Sequence, residues 1–405
     1  MTTISVAGVV PRDVVTPRSV DELATIVREL HGARKSFAFV GGGTHLELGN
    51  APRALDTVVR MTALDAVVDY TPEDQTITVE AGITLAELDR VLEQHGQMLP
   101  LDVADRARST VGGLVASNAS GRRRQRYGTA KDLIVGVGII RPDGVRARGG
   151  GKVVKNVAGF DLPKLMVGSL GTLGAIATVT FRLYPIQPTS RAAALTFERA
   201  DDIAAATRAL LERQLEPESV ALYNYDTLVV SIAGMQRGVD AQMTTLLDGI
   251  APACSARARE LSELERESYE QRERAVRRDG AWRLRIAAPP STGVATLSAF
   301  VQAPALAVPV AYPLLGIALH AYADAASANA SDGPHGAWPV GSARERVAAQ
   351  TRGAGNVVFA AMPDAARGTV DAWGPPPPSF ALMRALKHNF DPHGLCNPGR
   401  FIGGL

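Results

Sequence analysis

Three glycine-rich segments in the first half of the chain constrain its fold more than any other feature. The longest, Gly151–Arg182, reads GKVVKNVAGFDLPKLMVGSLGTLGAIATVTFR and runs into a β-branched strand. Two shorter segments precede it, Val40–His45 (VGGGTH) and Ser109–Gly121 (STVGGLVASNASG). Glycine lets a backbone approach a flat ligand where a Cβ atom would collide. A tight turn explains any one segment, but three in order predict loops along one long, flat, phosphate-bearing cofactor.

Composition limits the classes of protein that this chain can belong to. With 405 residues the chain is too long for a single hydrophobic core, so two domains are expected. Its contents of 46% hydrophobic and 21% charged residues are typical of globular proteins. The net charge of +2 argues against a nucleic-acid partner. No uncharged run is long enough for a membrane span, and the first residues lack the pattern of a secretory signal.

The two cysteines restrict any redox role. Cys254 and Cys396 are isolated, and no C-x-x-C occurs, so the chain cannot build an iron–sulfur cluster from its own thiolates. A flavin here would have to pass electrons to oxygen, a quinone or another protein. We expect a cytoplasmic protein, whose contact with the inner membrane, if it has one, is peripheral and made through a partner.

The pattern along the chain predicts an α+β fold with three parts: a domain over residues 1–187, a second over 188–375 and a C-terminal segment over 376–405. Proline-rich Tyr184–Pro188 marks the first boundary, and Gly374–Pro378 is a stiff linker. The predicted helices are Pro17–Leu30, Leu85–His95, Asp201–Gln214, Arg237–Ile250, Arg257–Arg278, Thr292–Gln302, Ala343–Thr351 and Phe380–Asn389. The predicted strands are Ser36–Val40, Val58–Val59, Ala66–Asp69, Gln75–Ala81, Leu133–Arg141, Ser219–Tyr223, Thr227–Ala233, Trp282–Ala287, Leu314–His320 and Asn356–Ala361, and Ala325–Val340 is expected to be a surface loop.

The order of these motifs resembles the vanillyl-alcohol oxidase/PCMH family of FAD-binding proteins. The resemblance rests on GGGT, VEAGITLAELDRVLEQHGQMLPLD, TVGGLVASNASG with RYG, a G-x-L-G strand and the tail FDPHGLCNPGRF. Within that family the chain is similar to FAD-linked oxidases of 2-hydroxy acids. The string KVVKNVAGFDLPKLMVGSLGTLG is most similar to the smaller FAD-binding subunit of bacterial glycolate oxidases. The resemblance implies a PCMH-type FAD-binding domain of two α+β subdomains and an α+β cap with an antiparallel sheet.

The resemblance also implies which residues hold FAD. Backbone amides of the first two glycine segments would meet the pyrophosphate, as successive amides form an anion-binding nest. The motif is not a Rossmann fingerprint, because no G-x-G-x-x-G follows the first strand with an acidic residue about 20 positions later. The implied FAD-binding residues are Gly41, Gly42, Gly43, Thr44, Thr110, Gly112, Gly113, Asn118, Ser120, Gly121, Tyr127, Gly128, Gly174, Ile176 and Asn397.

The chain departs from the family pattern at two places. Relatives that oxidise lactate-type substrates carry a GHxGDGNxH-like segment, whereas the corresponding strand here, Gly316–Tyr322, holds His320 alone. A metal site needs three or more protein ligands, so we expect none, and a core histidine is the simpler interpretation. Some relatives attach FAD through a histidine of the first loop. Thr44 occupies that position here and His45 lies one residue later, so we expect non-covalent FAD.

Two clusters that contain basic residues can each be interpreted in more than one way. Arg122–Arg124 with Arg126 would bind an acidic partner surface, approach the flavin phosphates or form a solvated loop. Lys152, Lys155 and Asn156 would lie beside the isoalloxazine or form a structural turn.

The functional expectation is an FAD-binding subunit of a complex that oxidises glycolate or another small 2-hydroxy acid. Electrons would leave through an iron–sulfur subunit, and a larger FAD-binding subunit would carry most of the substrate chemistry. No catalytic residue is assigned. Two alternatives remain: a stand-alone FAD-dependent oxidase of a hydroxy acid or sugar alcohol, and a structural subunit without chemistry.

Overall fold

The computed structural model describes residues 4–152, 160–224, 226–289, 309–322 and 343–405, which divide into two compact units. Unit 1 comprises Met1–Ser120, Gly128–Ile186 and Asp364–Leu405, and unit 2 comprises Gly121–Tyr127 and Gln187–Pro363. The boundary expected after residue 187 lies one residue from this division. Residues 364–375 belong to unit 1 rather than to the second part of the chain, and Gly121–Tyr127 belong to unit 2.

Unit 1 combines a small parallel sheet with a larger antiparallel one. The strands in its described part are β1 (Asp13–Val15), β2 (Phe37–Val40), β3 (Thr57–Arg60), β4 (Val67–Thr71), β5 (Thr76–Glu80), β6 (Gln97–Met98), β7 (Ile134–Ile140), β8 (Arg146–Gly150), β9 (Ala175–Arg182) and β10 (Tyr184–Pro185). The parallel sheet has the order β1-β3-β2, and the antiparallel sheet has the order β4-β5-β9-β7-β8. β10 pairs with β6 in a separate two-stranded antiparallel sheet.

Most described α-helices of unit 1 begin at a side-chain cap, and the helix Phe380–Phe390 is the exception. Ser19 accepts a hydrogen bond from the Glu22 amide, and Thr84 forms a capping box with Glu87. The helices are α1 (Val20–Gly32), α2 (Leu85–Glu93), α3 (Val111–Ser117), α5 (Ala130–Leu133), α6 (Leu162–Met166) and α12 (Phe380–Phe390). Their apolar faces bury residues such as Leu23 and Leu88 against the two sheets.

Unit 2 is built on an eight-stranded antiparallel sheet in the order β14-β11-β13-β12-β16-β17-β15-β18. Its strands are β11 (Thr189–Thr196), β12 (Ser219–Tyr223), β13 (Thr227–Gly234), β14 (Arg257–Glu260), β15 (Trp282–Ala287), β16 (Val310–Tyr312), β17 (Ile317–Tyr322) and β18 (Asn356–Ala361). Its described helices are α4 (Arg124–Tyr127), α7 (Ala200–Glu212), α8 (Gln236–Thr244), α9 (Ala251–Ala253), α10 (Glu263–Arg278) and α11 (Ala343–Thr351), with a π-helical stretch at Thr245–Ile250 between α8 and α9. The expected α+β class is confirmed.

Three secondary-structure elements predicted from the sequence differ from the observed ones. The single helix expected over Arg257–Arg278 is a strand and a helix, because β14 pairs with β11 as an edge strand and Ser262 caps α10. The strand expected from Leu314 begins at Ile317, after a 3₁₀ turn that ends at left-handed Gly316. The loop expected over Ser109–Gly121 contains α3, whose Val111, Leu114 and Val115 are buried on one face. The expected helix Thr292–Gln302 and loop Ala325–Val340 lie outside the described residues.

The helices of the described chain do not include one that is long and apolar enough to cross a membrane.

Candidate functional site

The first glycine segment follows the end of β2 and packs against the protein's own chain. A Cβ atom on Gly41 would lie 2.0 Å from Thr110 Oγ1, and one on Gly42 would lie 1.5 Å from the Arg108 carbonyl oxygen. Gly43 differs, because its φ of +76° requires glycine but no atom lies within 3.4 Å of its Cβ position. Gly41 and Gly42 are therefore explained by internal packing, and Gly43 by backbone conformation.

The amides of this loop are available as donors. Within the described chain, none of the backbone N–H groups of Gly41–Thr44 donates to a protein acceptor. The Thr44 hydroxyl is engaged instead, 3.2 Å from Ser109 Oγ and 3.0 Å from His45 Nδ1. Successive amides without protein acceptors are the donor set that an anion-binding nest provides.

The second glycine segment contributes surface rather than donors. Thr110 caps α3, and the amides of Val111, Gly112 and Gly113 already donate to Ile83 O, Ala81 O and Thr110 Oγ1. A Cβ on Gly112 would meet Ala81 Cβ at 2.8 Å, whereas one on Gly113 would approach only Thr110 Oγ1, at 3.1 Å. The expected amide contacts of Gly112 and Gly113 with a pyrophosphate are therefore not supported. Gly113 instead leaves open space.

The third segment forms a tight turn that leads into β9. Leu170, Gly171 and Gly174 all have positive φ, and a Cβ on Gly174 would meet the Ile140 carbonyl oxygen at 2.5 Å. The turn therefore needs Gly174 both for its backbone conformation and for its contact with β7.

The C-terminal tail joins the first and third segments. The Asn397 amide donates to Phe37 O at 2.7 Å, and its Nδ2 donates to Leu170 O at 2.5 Å. Its Oδ1 is buried without a hydrogen-bond partner in the described chain. Asn397 thus fixes the tail to β2 and to the turn, and leaves one acceptor for a ligand.

A buried ion pair secures the same tail. Lys387 Nζ on α12 donates to Asp391 Oδ2 at 2.6 Å, to Thr172 O at 2.7 Å and to Cys396 O at 2.9 Å. Asp391 accepts from the amides of Leu395 and Cys396 in return. Burial raises the pKa of the Cys396 thiol to about 12, so this cysteine stays protonated near neutral pH.

These segments enclose one groove within unit 1, with about 820 Å³ of empty space including the part open to solvent. Ten of the expected site residues line it: Gly41, Gly42, Gly43, Thr44, Thr110, Gly112, Gly113, Gly174, Ile176 and Asn397. Asn118, Ser120 and Gly128 belong to unit 1 but are not part of this lining, and Gly121 and Tyr127 belong to unit 2. Their roles remain predictions.

Several lining residues were missed by the sequence analysis. They include Phe39, His45, Met61, Leu170, Gly171 and Arg400. Arg400 directly follows the NPG segment and was a recognisable signal, whereas Met61 is distant from every motif and enters the groove only through the pairing of β3 with β2.

Comparison with known proteins matches two segments of the chain, which together contribute most of the groove lining, to flavoprotein families. Residues 11–149 match the FAD binding domain, and residues 375–401 match the C-terminal domain of FAD linked oxidases. Both matches are consistent with the resemblance to FAD-linked oxidases of the vanillyl-alcohol oxidase/PCMH family.

Curated relatives match part of the chain, and one solved structure shares its fold. The chain is 30% identical over 220 residues to glycolate oxidase subunit GlcD of Bacillus subtilis, covering 54% of this chain and 47% of the relative. It is 35% identical over 178 residues to glycolate oxidase subunit GlcE of Escherichia coli, covering 43% and 50%. The chain thus spans about half the length of these relatives. Substrate-bound p-cresol methylhydroxylase shares the fold, with a TM-score of 0.68 at 15% identity over 96% of this chain and 88% of that one.

The groove fits FAD on two counts. The Gly41–Thr44 amides suit a pyrophosphate, and Asn397 Oδ1 can accept from a ligand N–H. When bound, FAD supplies two-electron redox chemistry, and the chain's own residues bind and orient it.

The basic residues singled out in the sequence are engaged elsewhere. Arg122 pairs with Glu270 at 2.6 Å and with the fully buried Glu273 at 3.1 Å. Arg126 donates to Ala233 O, and Arg123 lies 3.3 Å from Glu218. The interpretation of this cluster as a solvated loop is therefore wrong, because its members tie residues 121–127 to the rest of unit 2.

The remaining candidate residues, Lys152 and His320, have contacts or burial that explain their side chains locally. Lys152 pairs with Asp69 and donates to Thr71 Oγ1 at 3.0 Å, whereas Lys155 and Asn156 lie outside the described residues. His320 is buried in the sheet of unit 2, and burial lowers its pKa to about 4. Among the described residues no group of three or more His, Cys, Asp or Glu is arranged to hold a metal ion.

We expect FAD to leave the protein when the chain is denatured by acid or heat. Thr44 occupies the position where the resemblance places the attachment histidine, and a set of amides holds an anion without a covalent bond. The measurement is flavin absorbance in the supernatant after precipitation. Flavin fluorescence that migrates with the denatured chain on a gel would contradict non-covalent binding.

Proposed function

We propose that this chain is the FAD-binding subunit of a complex that oxidises a small 2-hydroxy acid, of the glycolate oxidase type. The observation that carries the proposal is the groove of unit 1, where the amides of Gly41–Thr44, the open side of Gly113 and the tail residue Asn397 meet. The substrate class comes from relatives that are named as glycolate oxidase subunits.

Oxidation of a 2-hydroxy acid to a 2-oxo acid releases two electrons and two protons, which need a route away from the flavin. Cys254 and Cys396 are both buried, and they belong to different units. With no paired thiolates of its own, the chain would depend on a separate iron–sulfur subunit for electron transfer. A larger FAD-binding subunit would then perform most of the substrate oxidation.

Arg285 on β15 supports a carboxylate-bearing substrate. Its side chain is partly buried, and burial together with the nearby Arg124 lowers its pKa. It forms no hydrogen bond or ion pair with the rest of the chain that the structure describes. A guanidinium in this setting suits a planar carboxylate, whether this chain oxidises the acid itself or only binds it.

A stand-alone oxidase is the second candidate, because Arg285 would serve that function equally well. The two candidates differ in whether the purified chain turns over alone. A base or metal-bound alkoxide is needed to take the hydroxyl proton. The aligned strand offers His320, which is buried, and no catalytic base is assigned.

We therefore expect the pure FAD-loaded chain to reduce a dye slowly or not at all with glycolate or D-lactate, with no effect of EDTA. Adding the partner subunits should restore turnover. The assay is steady-state dye reduction with each acid, with and without EDTA, and the chain without substrate serves as the control. Rapid turnover by the chain alone would establish the stand-alone oxidase, and EDTA-sensitive turnover would reveal a metal.

A further inference from the structure

Arg400, in the tail after the NPG segment, is a buried cation that lines the groove. Only 3% of the surface of Arg400 is exposed to solvent. Its Nη1 donates to Asn50 O at 3.1 Å and its Nη2 to Leu46 O at 3.0 Å. Its own carbonyl accepts from the Asn50 amide at 3.1 Å, so the tail and the loop after the first glycine segment hold each other.

Within the described chain this guanidinium has no carboxylate of its own, although the charge of Glu47 acts on it from nearby. Among the residues that the structure describes, no carboxylate forms an ion pair with Arg400, and its Nε is buried without a hydrogen-bond partner. The neighbouring carboxylate of Glu47 is already paired with Arg367. Burial, and then the charge of Arg367, lower the pKa of Arg400 to about 10, so it remains charged at neutral pH.

Buried charges in proteins are almost always paired, because leaving an ion unpaired in a low dielectric is costly. The groove beside Arg400 also contains the free amides of Gly41–Thr44, which favour an anion. The buried charge of Arg400 and the free amides both favour the same kind of ligand, a compact group with one or two negative charges.

We propose that Arg400 provides the countercharge for the pyrophosphate of FAD, and that its bonds to Leu46 and Asn50 position the first glycine loop for the same group. The inference rests on this groove being the FAD site.

Arg367 provides a matched control for a purely structural role. Its side chain is also buried and donates to the carbonyls of Glu47 and Gly49 in the same loop. It differs in having carboxylate partners, Glu47 and Asp364, and in not lining the groove. If Arg400 only holds the loop, the two arginines should behave alike.

The experiment measures the affinity of the flavin-free chain for FAD, ADP and riboflavin, by calorimetry or flavin fluorescence. For Arg400→Met we expect FAD and ADP affinity to fall by about 10- to 100-fold, as for loss of a charged hydrogen bond, with riboflavin affinity unchanged. Arg400→Lys, which keeps the charge, should recover much of the loss. Arg367→Met should change the ratio of FAD to riboflavin affinity by less than about 3-fold.

Three results would overturn the proposal. They are unchanged FAD and ADP affinity in Arg400→Met, an equal loss for riboflavin, and an equal effect of Arg367→Met. If Arg400→Met does not fold, FAD binding by Arg400→Lys and by the parent chain is measured at several salt concentrations. We expect the FAD affinity of both to fall as salt rises. An FAD affinity of Arg400→Lys at background level would contradict a role for the charge. If the parent chain binds neither FAD nor ADP, the assignment of the groove itself fails.

Discussion

Replacing Gly113 with valine is expected to abolish FAD binding while the chain stays folded. Gly113 lies inside α3 and lines the groove, and the atom nearest to an added Cβ is Thr110 Oγ1 at 3.1 Å. The branched side chain would therefore occupy ligand space rather than collide with the core. Loss of the ligand removes a stabilisation of about 4 kcal/mol when FAD is present at about 1,000 times its Kd.

The measurements are flavin content after purification and the melting temperature with and without added FAD. In Gly113→Val the two melting temperatures should coincide near that of the flavin-free parent chain. Gly113→Ala is the matched control: it adds one methyl group and gains helix propensity of about 1 kcal/mol, so the flavin-free form should not lose stability. Normal flavin content in Gly113→Val would show that this part of α3 does not contact FAD.

For the neighbouring residue Gly112, we expect substitution to reduce the stability of the chain itself. Its added Cβ would lie 2.8 Å from Ala81 Cβ and 3.0 Å from Ala81 O, so Gly112→Val should destabilise the flavin-free chain itself. A loss of stability in Gly113→Val as large as that in Gly112→Val would mean that Gly113, too, is required by internal packing.

Replacing Lys387 with methionine is expected to destabilise unit 1 by about 3–5 kcal/mol, the usual cost of removing one partner from a buried ion pair. Asp391 would keep the amides of Leu395 and Cys396 but lose its cation, and Thr172 O and Cys396 O would each lose a donor. Because the tail carries Asn397 and Arg400 to the groove, FAD affinity should fall as well.

Chemical unfolding of the flavin-free protein separates the two effects, since cofactor binding then contributes nothing. Arg384→Met on the exposed side of α12 is the control and should change the free energy of unfolding by less than about 0.5 kcal/mol. A change equally small in Lys387→Met would show that the Lys387–Asp391 pair does not hold the tail.

Local patterns carried much of the fold. The predicted starts of α1 and α2 lie within a few residues of the observed ones, and the predicted strands Ser219–Tyr223, Trp282–Ala287 and Asn356–Ala361 coincide with β12, β15 and β18. The strand β14 was not visible in the sequence. Its residues Arg257–Glu260 are mostly exposed and polar, and only pairing with β11 makes them a strand.

The sequence by itself indicated an FAD-linked oxidase, the α+β class and the cofactor, because three glycine segments and an NPG tail follow one another in the order that the resemblance requires. Tertiary structure alone decided what each glycine does. Gly42 and Gly113 look equivalent in sequence, yet one is packed against the Arg108 carbonyl and the other opens onto the groove. It also decided that Arg122 pairs with glutamates of unit 2, while Arg400 is buried in the groove without a carboxylate partner in the described chain. The environment of a charge or of a missing Cβ depends on residues distant in sequence, and no local pattern encodes them.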